Sequence, residues 1–191
     1  MWKYIPSTIR YKLLYLNTFE LMSDTKIIFL HTGSNLGNRL KNLDLACQNI
    51  KIEIGKIIQK SSLYETEAWG VENQPDYFNQ ALKVETILSP LVVMDKIGKI
   101  EQDLGRNRTI KWSSRIIDID LLFYEDLLIQ SPNLTVPHPR IGERNFVLVP
   151  MSELAPNLIH PVFGKDILTL MAESDDKCEV RKLETQTQFK N

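Results

Sequence analysis

The chain has 191 residues, 43% hydrophobic and 25% charged, a make-up that suits one soluble domain with enough length to bury a core. Its formal net charge of −1 supplies no general basic field, which argues against a nucleic-acid binder. Cys47 and Cys178 form no CxxC pattern and read as reduced structural thiols, while His31, His138 and His160 have no zinc-ligand spacing.

In residues 1–22 the apolar run Tyr11 to Leu16 is too short for a signal core or a membrane span. The segment reads as a dispensable N-terminal extension to a domain over residues 26–175, in a protein expected to be cytoplasmic and free of membrane contact. Lys26 to Thr32 is an apolar strand that ends in the turn Gly33-Ser34-Asn35-Leu36-Gly37. A helix follows, with Ser34 or Asn35 as its cap and Leu36, Leu40, Leu43, Ala46 or Cys47 and Ile50 at helical spacing. The turn is neither a Walker loop nor GxGxxG. Lys56 to Tyr64 reads as a second strand.

Tyr77 to Ile87 reads as a third strand, with Tyr77, Asn79, Ala81 and Lys83 on one face and Phe78, Gln80, Leu82 and Val84 on the other. The long loop before it, Glu65 to Asp76, carries Trp69. Together Trp69 and Tyr77 suit the walls of a slot for a flat ligand, with Asn79 reading its edge, although core aromatics with a satisfied amide fit the pattern as well. Ser89-Pro90 opens a second helix that runs to Gly105.

A basic loop then feeds an acidic strand. From Ile116 to Phe123 the period is two, with Ile117, Ile119, Leu121 and Phe123 on one face and Asp118, Asp120 and Leu122 on the other. The two carboxylates share a face with Cα atoms roughly 6.5 Å apart, and such like charges repel unless a cation joins them. Magnesium is the natural candidate. Arg106, Arg108 and Arg115 upstream suit phosphate oxygens, so the stretch suggests a nucleotide polyphosphate. The order strand, helix, strand, strand, helix, strand predicts an α+β, ferredoxin-like βαββαβ sandwich with a C-terminal extension.

In that extension, Glu125 to Ile129 suggests a short strand and Leu134 to Arg140 a rigid, extended connector held by its prolines. The apolar run Val147 to Met151 follows Arg144-Asn145-Phe146. Asp166 to Glu173 reads as a closing helix, and residues 184–191 as a polar tail.

Taken together, Gly33-Ser34-Asn35-Leu36-Gly37, Tyr64-Glu65-Thr66, Gln74 to Asn79, Leu104 to Arg108 with Glu101, Trp112 with Arg115 to Asp120, Val136 to Arg140 and Arg144-Asn145-Phe146 resemble the 6-hydroxymethyl-7,8-dihydropterin pyrophosphokinase family of folate biosynthesis. The resemblance implies transfer of pyrophosphate from ATP to the hydroxymethyl group of the reduced pterin, releasing AMP, by a protein expected to be a monomer. It implies that Asp118 and Asp120 hold two Mg²⁺ ions. Tyr77 and Phe146 would sandwich the pterin, Asn79 would bind its edge, and Thr66 and Trp69 would complete that pocket. Arg106, Arg115, His138 and Arg144 would contact phosphates, Glu101 would help place the nucleotide, and Arg108 and Trp112 would sit on a loop closing over it. Two alternatives stand beside this reading: a two-metal nucleotidyltransferase or nuclease, and a non-catalytic ligand sensor.

Overall fold

The computed structural model describes residues 25–70, 74–106 and 114–184. The expected N-terminal extension, the tail residues 185–191, and Arg108 and Trp112 lie outside the described residues.

Among the described residues, eight strands and four α-helices follow in chain order: β1 (Lys26–Ser34), α1 (Arg39–Glu53), β2 (Lys56–Lys60), β3 (Tyr64–Thr66), β4 (Tyr77–Thr86), α2 (Pro90–Asp103), β5 (Asp118–Tyr124), β6 (Ile129–Ser131), β7 (Leu134–Val136), α3 (Asn145–Leu154), α4 (Ile167–Ala172) and β8 (Val180–Lys182). The main sheet is antiparallel in the order β5-β1-β4-β3-β8, with β2 also paired to β4. β6 and β7 form a separate hairpin.

Alternation sorts the sheet's side chains into two cores. Ile28 and Leu30 of β1, Leu82 and Val84 of β4, and Ile119 and Leu121 of β5 pack under α1 and α2, against Leu43, Ala46, Cys47, Ile50, Val93, Ile97 and Ile100. On the other face Phe29, Ala81 and Leu122 meet Val147, Leu148 and Met151 of α3 and Ile167 and Leu170 of α4. Burial of these apolar surfaces is what holds the layers together. No helix among the described residues is long and apolar enough to cross a membrane.

Several expectations change. Lys56 to Tyr64 is not one strand: at Ser61 the hydroxyl takes the Ala81 N–H at 3.0 Å while its own N–H reaches the Ala81 carbonyl, so a side chain replaces a ladder bond between β2 and β3. α1 is capped by Asn38, whose side chain accepts the Lys41 N–H at 3.0 Å, and not by Ser34 or Asn35. Leu36 lies before that helix and Leu40 is on its outer side, so both are exposed. Phe123 leaves the face of Ile119 and Leu121, because a bulge shifts the register between Phe29 and Leu30 and puts Leu122 and Phe123 in the same core. The chain turns at Glu125, and the short strands are β6 and β7, so Leu134 to Val136 belongs to a hairpin.

The run Val147 to Met151 becomes helix α3 in spite of Pro150. Pro150 has no N–H to offer the Phe146 carbonyl one turn back. α2 begins at Pro90 after Ser89 and stops at Gly105, whose φ of 92° is open to glycine without strain.

Candidate functional site

At one end of the sheet, on the α3 side, the apolar rows give way to polar ones. His31 and Gly33 continue the row of Phe29, Tyr77 and Asn79 continue that of Ala81, and Asp118 and Asp120 that of Leu122, as period two requires. Register brings them together: Gly33 pairs with Asn79 on one side and Asp118 on the other, and His31 pairs with Asp120. Thr66 of β3 pairs with Tyr77. These residues floor a cleft of about 270 Å³, walled by Glu67, Ala68, Trp69 and Gln74 and by His138, Arg144 and Phe146. A Cβ on Gly33 would come within 3.1 Å of Asn79 Oδ1, so the missing side chain keeps the floor open.

One end of the cleft is ionic. Asp118 accepts from Arg106 at 2.7 Å through one carboxylate oxygen and from Arg115 at 2.5 Å through the other. Arg106 also pairs with Glu101, a buried carboxylate whose Oε1 takes the Ile119 N–H at 2.9 Å. Glu101 is not part of the cleft wall and instead holds Arg106 from behind. Asp120 has its carboxyl pushed up to about 7, first by desolvation and next by the charge of Asp118. That penalty is one a divalent cation would relieve, and two carboxylates on one strand face are hard oxygen donors suited to Mg²⁺, which keeps several waters and leans on substrate phosphates. The residues present therefore fit such an ion.

The other end is aromatic. Tyr77 and Phe146 line it together with Trp69. The Arg144 guanidinium sits 5.0 Å from the Trp69 ring and 5.5 Å from Phe146, joining the loop after β3 to the start of α3 through cation–π contacts. Asn79 donates from Nδ2 to Thr66 Oγ1 at 2.8 Å, which turns its Oδ1 toward the cleft beside Gly33.

All the predicted site residues inside the described segments except Glu101 line this one cleft. Sequence reasoning missed His31, Gly33, Glu67, Ala68 and Gln74. The ring of His31 lies 5.5 Å from that of Phe146, and burial, ahead of the charges around it, lowers its pKa to about 4. Its position two residues before Gly33 on the same face was the available signal. Asn35, expected as a cap, is buried and ties loops together: its Nδ2 donates to Gln74 Oε1 at 3.2 Å and to the Pro75 carbonyl at 3.1 Å, and its Oδ1 accepts the Arg115 N–H at 2.6 Å.

Paired carboxylates under arginines at one end and aromatic side chains with an amide at the other form one cleft that suits an anionic group and a flat ring, set on an antiparallel α+β sheet. Residues 29–156 match the family model for 7,8-dihydro-6-hydroxymethylpterin-pyrophosphokinase, HPPK. The chain belongs to this family. It is 40% identical over 149 residues to the 2-amino-4-hydroxy-6-hydroxymethyldihydropteridine pyrophosphokinase of Aquifex aeolicus, covering 77% of this chain and 91% of the relative. It is 39% identical to the protein of that name from Synechocystis, covering 75% of this chain and 73% of the relative. The folic acid synthesis protein fol1 of Pneumocystis carinii is 38% identical over 75% of this chain, which spans only 20% of that longer protein. Among solved structures, wild-type Plasmodium falciparum HPPK-DHPS with pterin and p-hydroxybenzoate superposes with a TM-score of 0.66 at 20% identity, over 78% of this chain and 43% of that one, a likeness of fold.

Proposed function

We propose that this chain transfers pyrophosphate from ATP to 6-hydroxymethyl-7,8-dihydropterin, yielding AMP and the pterin diphosphate of folate synthesis. The observation that carries the proposal is the single cleft holding both a flat-ring slot and an Asp118/Asp120 pair beneath Arg106 and Arg115, in a member of this family. The sheet order, with α1 and α2 on one face, supports reading residues 26–175 as a ferredoxin-like domain with a C-terminal extension. We take it to act as a cytoplasmic monomer without nucleic-acid or membrane partners.

In this reading the pterin ring lies between Tyr77 and Phe146, with Thr66 and Trp69 completing the slot. Asn79 Oδ1 accepts from an N–H on the ring edge, because Thr66 already holds the amide's other end. Asp118 and Asp120 would hold the two Mg²⁺ ions of this reading, which would supply charge neutralisation for the triphosphate. Binding would exchange partners, with phosphate oxygens replacing Asp118 on the Arg106 and Arg115 guanidiniums. Glu101 keeps Arg106 aimed through the exchange. Arg144 and His138 contact phosphates from the α3 side, and Arg108 is assigned to ATP and Trp112 to the substrates by the family resemblance. The pterin hydroxyl oxygen then forms a bond to the β-phosphorus, the bond from that phosphorus to the α,β-bridging oxygen breaks, AMP leaves, and the hydroxyl proton passes to water. Positioning and charge do the work, and no side chain is required as general base.

Phosphorus NMR of the protein with Mg-ATP and the pterin tests the proposal. AMP with a new pterin diphosphate is expected. ADP would mean attack on the γ-phosphorus and a simple kinase, and no turnover by folded, metal-replete protein would favour a ligand sensor.

A further inference from the structure

The family match ends at residue 156, yet the chain continues into two pieces of ordered contact with the cleft. Asp176 lies after α4. Its Oδ2 accepts the Asn145 N–H at 2.8 Å, its backbone carbonyl accepts from Asn145 Nδ2 at 2.8 Å, and its Oδ1 accepts the Cys178 N–H at 3.0 Å. Asn145 is the first residue of α3 and stands between Arg144 and Phe146, two residues of the cleft wall. A carboxylate there satisfies an end-of-helix N–H and meets the positive end of the helix dipole.

Four residues on, β8 adds to the sheet beside β3, pairing Val180 with Thr66, Arg181 with Glu65 and Lys182 with Tyr64. The Arg181 guanidinium bridges Glu65 at 3.3 Å and Asp76 at 3.5 Å, so it joins the strand that carries Thr66 to the residue before Tyr77. One short segment therefore touches the start of α3, the strand of Thr66 and the approach to Tyr77. Among the described residues, none of the hydrogen bonds and ion pairs of this segment reaches Asp118, Asp120, Arg106 or Arg115.

We infer that residues 176–182 are a brace that sets the width of the flat-ring slot, with Asp176 and Arg181 as its positioning residues. The inference rests on the proposed reading of the slot as the pterin site. Ordering α3 against β3 fixes Phe146 and Arg144 relative to Thr66, Trp69 and Tyr77, while the ionic end is held separately by Glu101 and Asn35. The brace thus bears on one substrate and not on the other.

Asp176→Ala should raise KM for the pterin about fivefold to tenfold, the size of a lost helix-end bond, with KM for Mg-ATP within about twofold of wild type. Asp176→Asn, which keeps an acceptor for the Asn145 N–H, should restore most of the loss. Arg181→Ala, at a half-exposed surface position with little risk to folding, should shift KM for the pterin in the same direction. Amide hydrogen exchange in the ligand-free full-length protein should show faster exchange at residues 145–147 in Asp176→Ala. Equal changes in both KM values, or wild-type exchange at 145–147, would overturn the brace. An inactive wild-type protein would sink the functional reading instead, and the exchange result would still decide the brace.

Discussion

Asp120 of β5 stands directly opposite His31 of β1 across the antiparallel ladder, yet no ion pair joins them among the described residues. Desolvation, then Asp118, pushes the Asp120 carboxyl up to about 7, and burial lowers His31 to about 4. Between those values both are neutral, so a pair of opposite type stays uncharged. Loss of the Asp120 proton gives the state that suits a metal.

Asp120→Asn is expected to abolish turnover and, without metal, to stabilise the fold at pH 8. Because the folded pKa is raised, the aspartic acid's contribution is fully present below about pH 4 and is lost as pH rises through 7. The asparagine has no such loss. Melting temperatures of both proteins in chelator across pH 4–8 should coincide near pH 4, separate as pH rises towards 7 and stay apart above it, and magnesium should narrow the gap at pH 8; a wild-type advantage at pH 8 in chelator would remove Asp120 from this role.

His160 gives the opposite slope. It is buried, stacked 4.3 Å from Phe163, and burial holds its pKa at about 4. A depressed histidine contributes stability above 6.5 that is lost as pH falls towards 4, at about 1.4 kcal/mol per pH unit for one proton. His160→Asn keeps an acceptor for the Val162 and Phe163 N–H groups, which Nδ1 now takes at 3.2 and 3.4 Å, and should flatten the acid limb by one proton. Denaturant midpoints at pH 4.5, 5.5 and 6.5 measure this; parallel curves for the two proteins would refute it.

Arg115→Ala should lower kcat by roughly 10³-fold, by analogy with an arginine that stabilises transferring phosphoryl charge. The backbone of Arg115 is tied to Asn35, so the loop should keep its path in the variant. Steady-state kinetics with saturating substrates is the check, and a loss of tenfold or less would assign Arg115 to ground-state binding.

Gly55→Ala tests the fold away from the cleft. A Cβ at Gly55 would lie 2.0 Å from the Glu85 carbonyl oxygen, a backbone atom that cannot step aside alone. Opening α1's exit from β4 should cost about 1–3 kcal/mol, with catalysis per folded molecule unchanged. An unaltered urea midpoint would contradict the close approach.

Much of this was legible before the structure. The alternation around Asp118 and Asp120 is local, so it placed both on one face, and Tyr77 and Asn79 followed from the same rule. Asn35 misled because a side chain that suits a helix cap suits a loop tie equally well, and only the fold shows Arg115 and Gln74 beside it. Phe123 misled because a bulge is a property of two strands and leaves no mark on one. His31 carries no motif, and Gly33 was legible only as part of a turn; they matter because β1 is flanked by both β4 and β5. β8 was not foreseen, since three residues in a charged stretch have no periodicity to read.

The cleft lies where the core between the sheet and α3 ends, its floor belonging to the sheet and part of its far wall to the start of α3. A molecule that released α3 and α4 while keeping the sheet on α1 and α2 would retain much of its secondary structure and have no binding site. Activity followed on warming beside far-UV circular dichroism tests this: a reversible loss of activity below the melting transition is expected if that joint between layers opens first, and coincident losses would refute it.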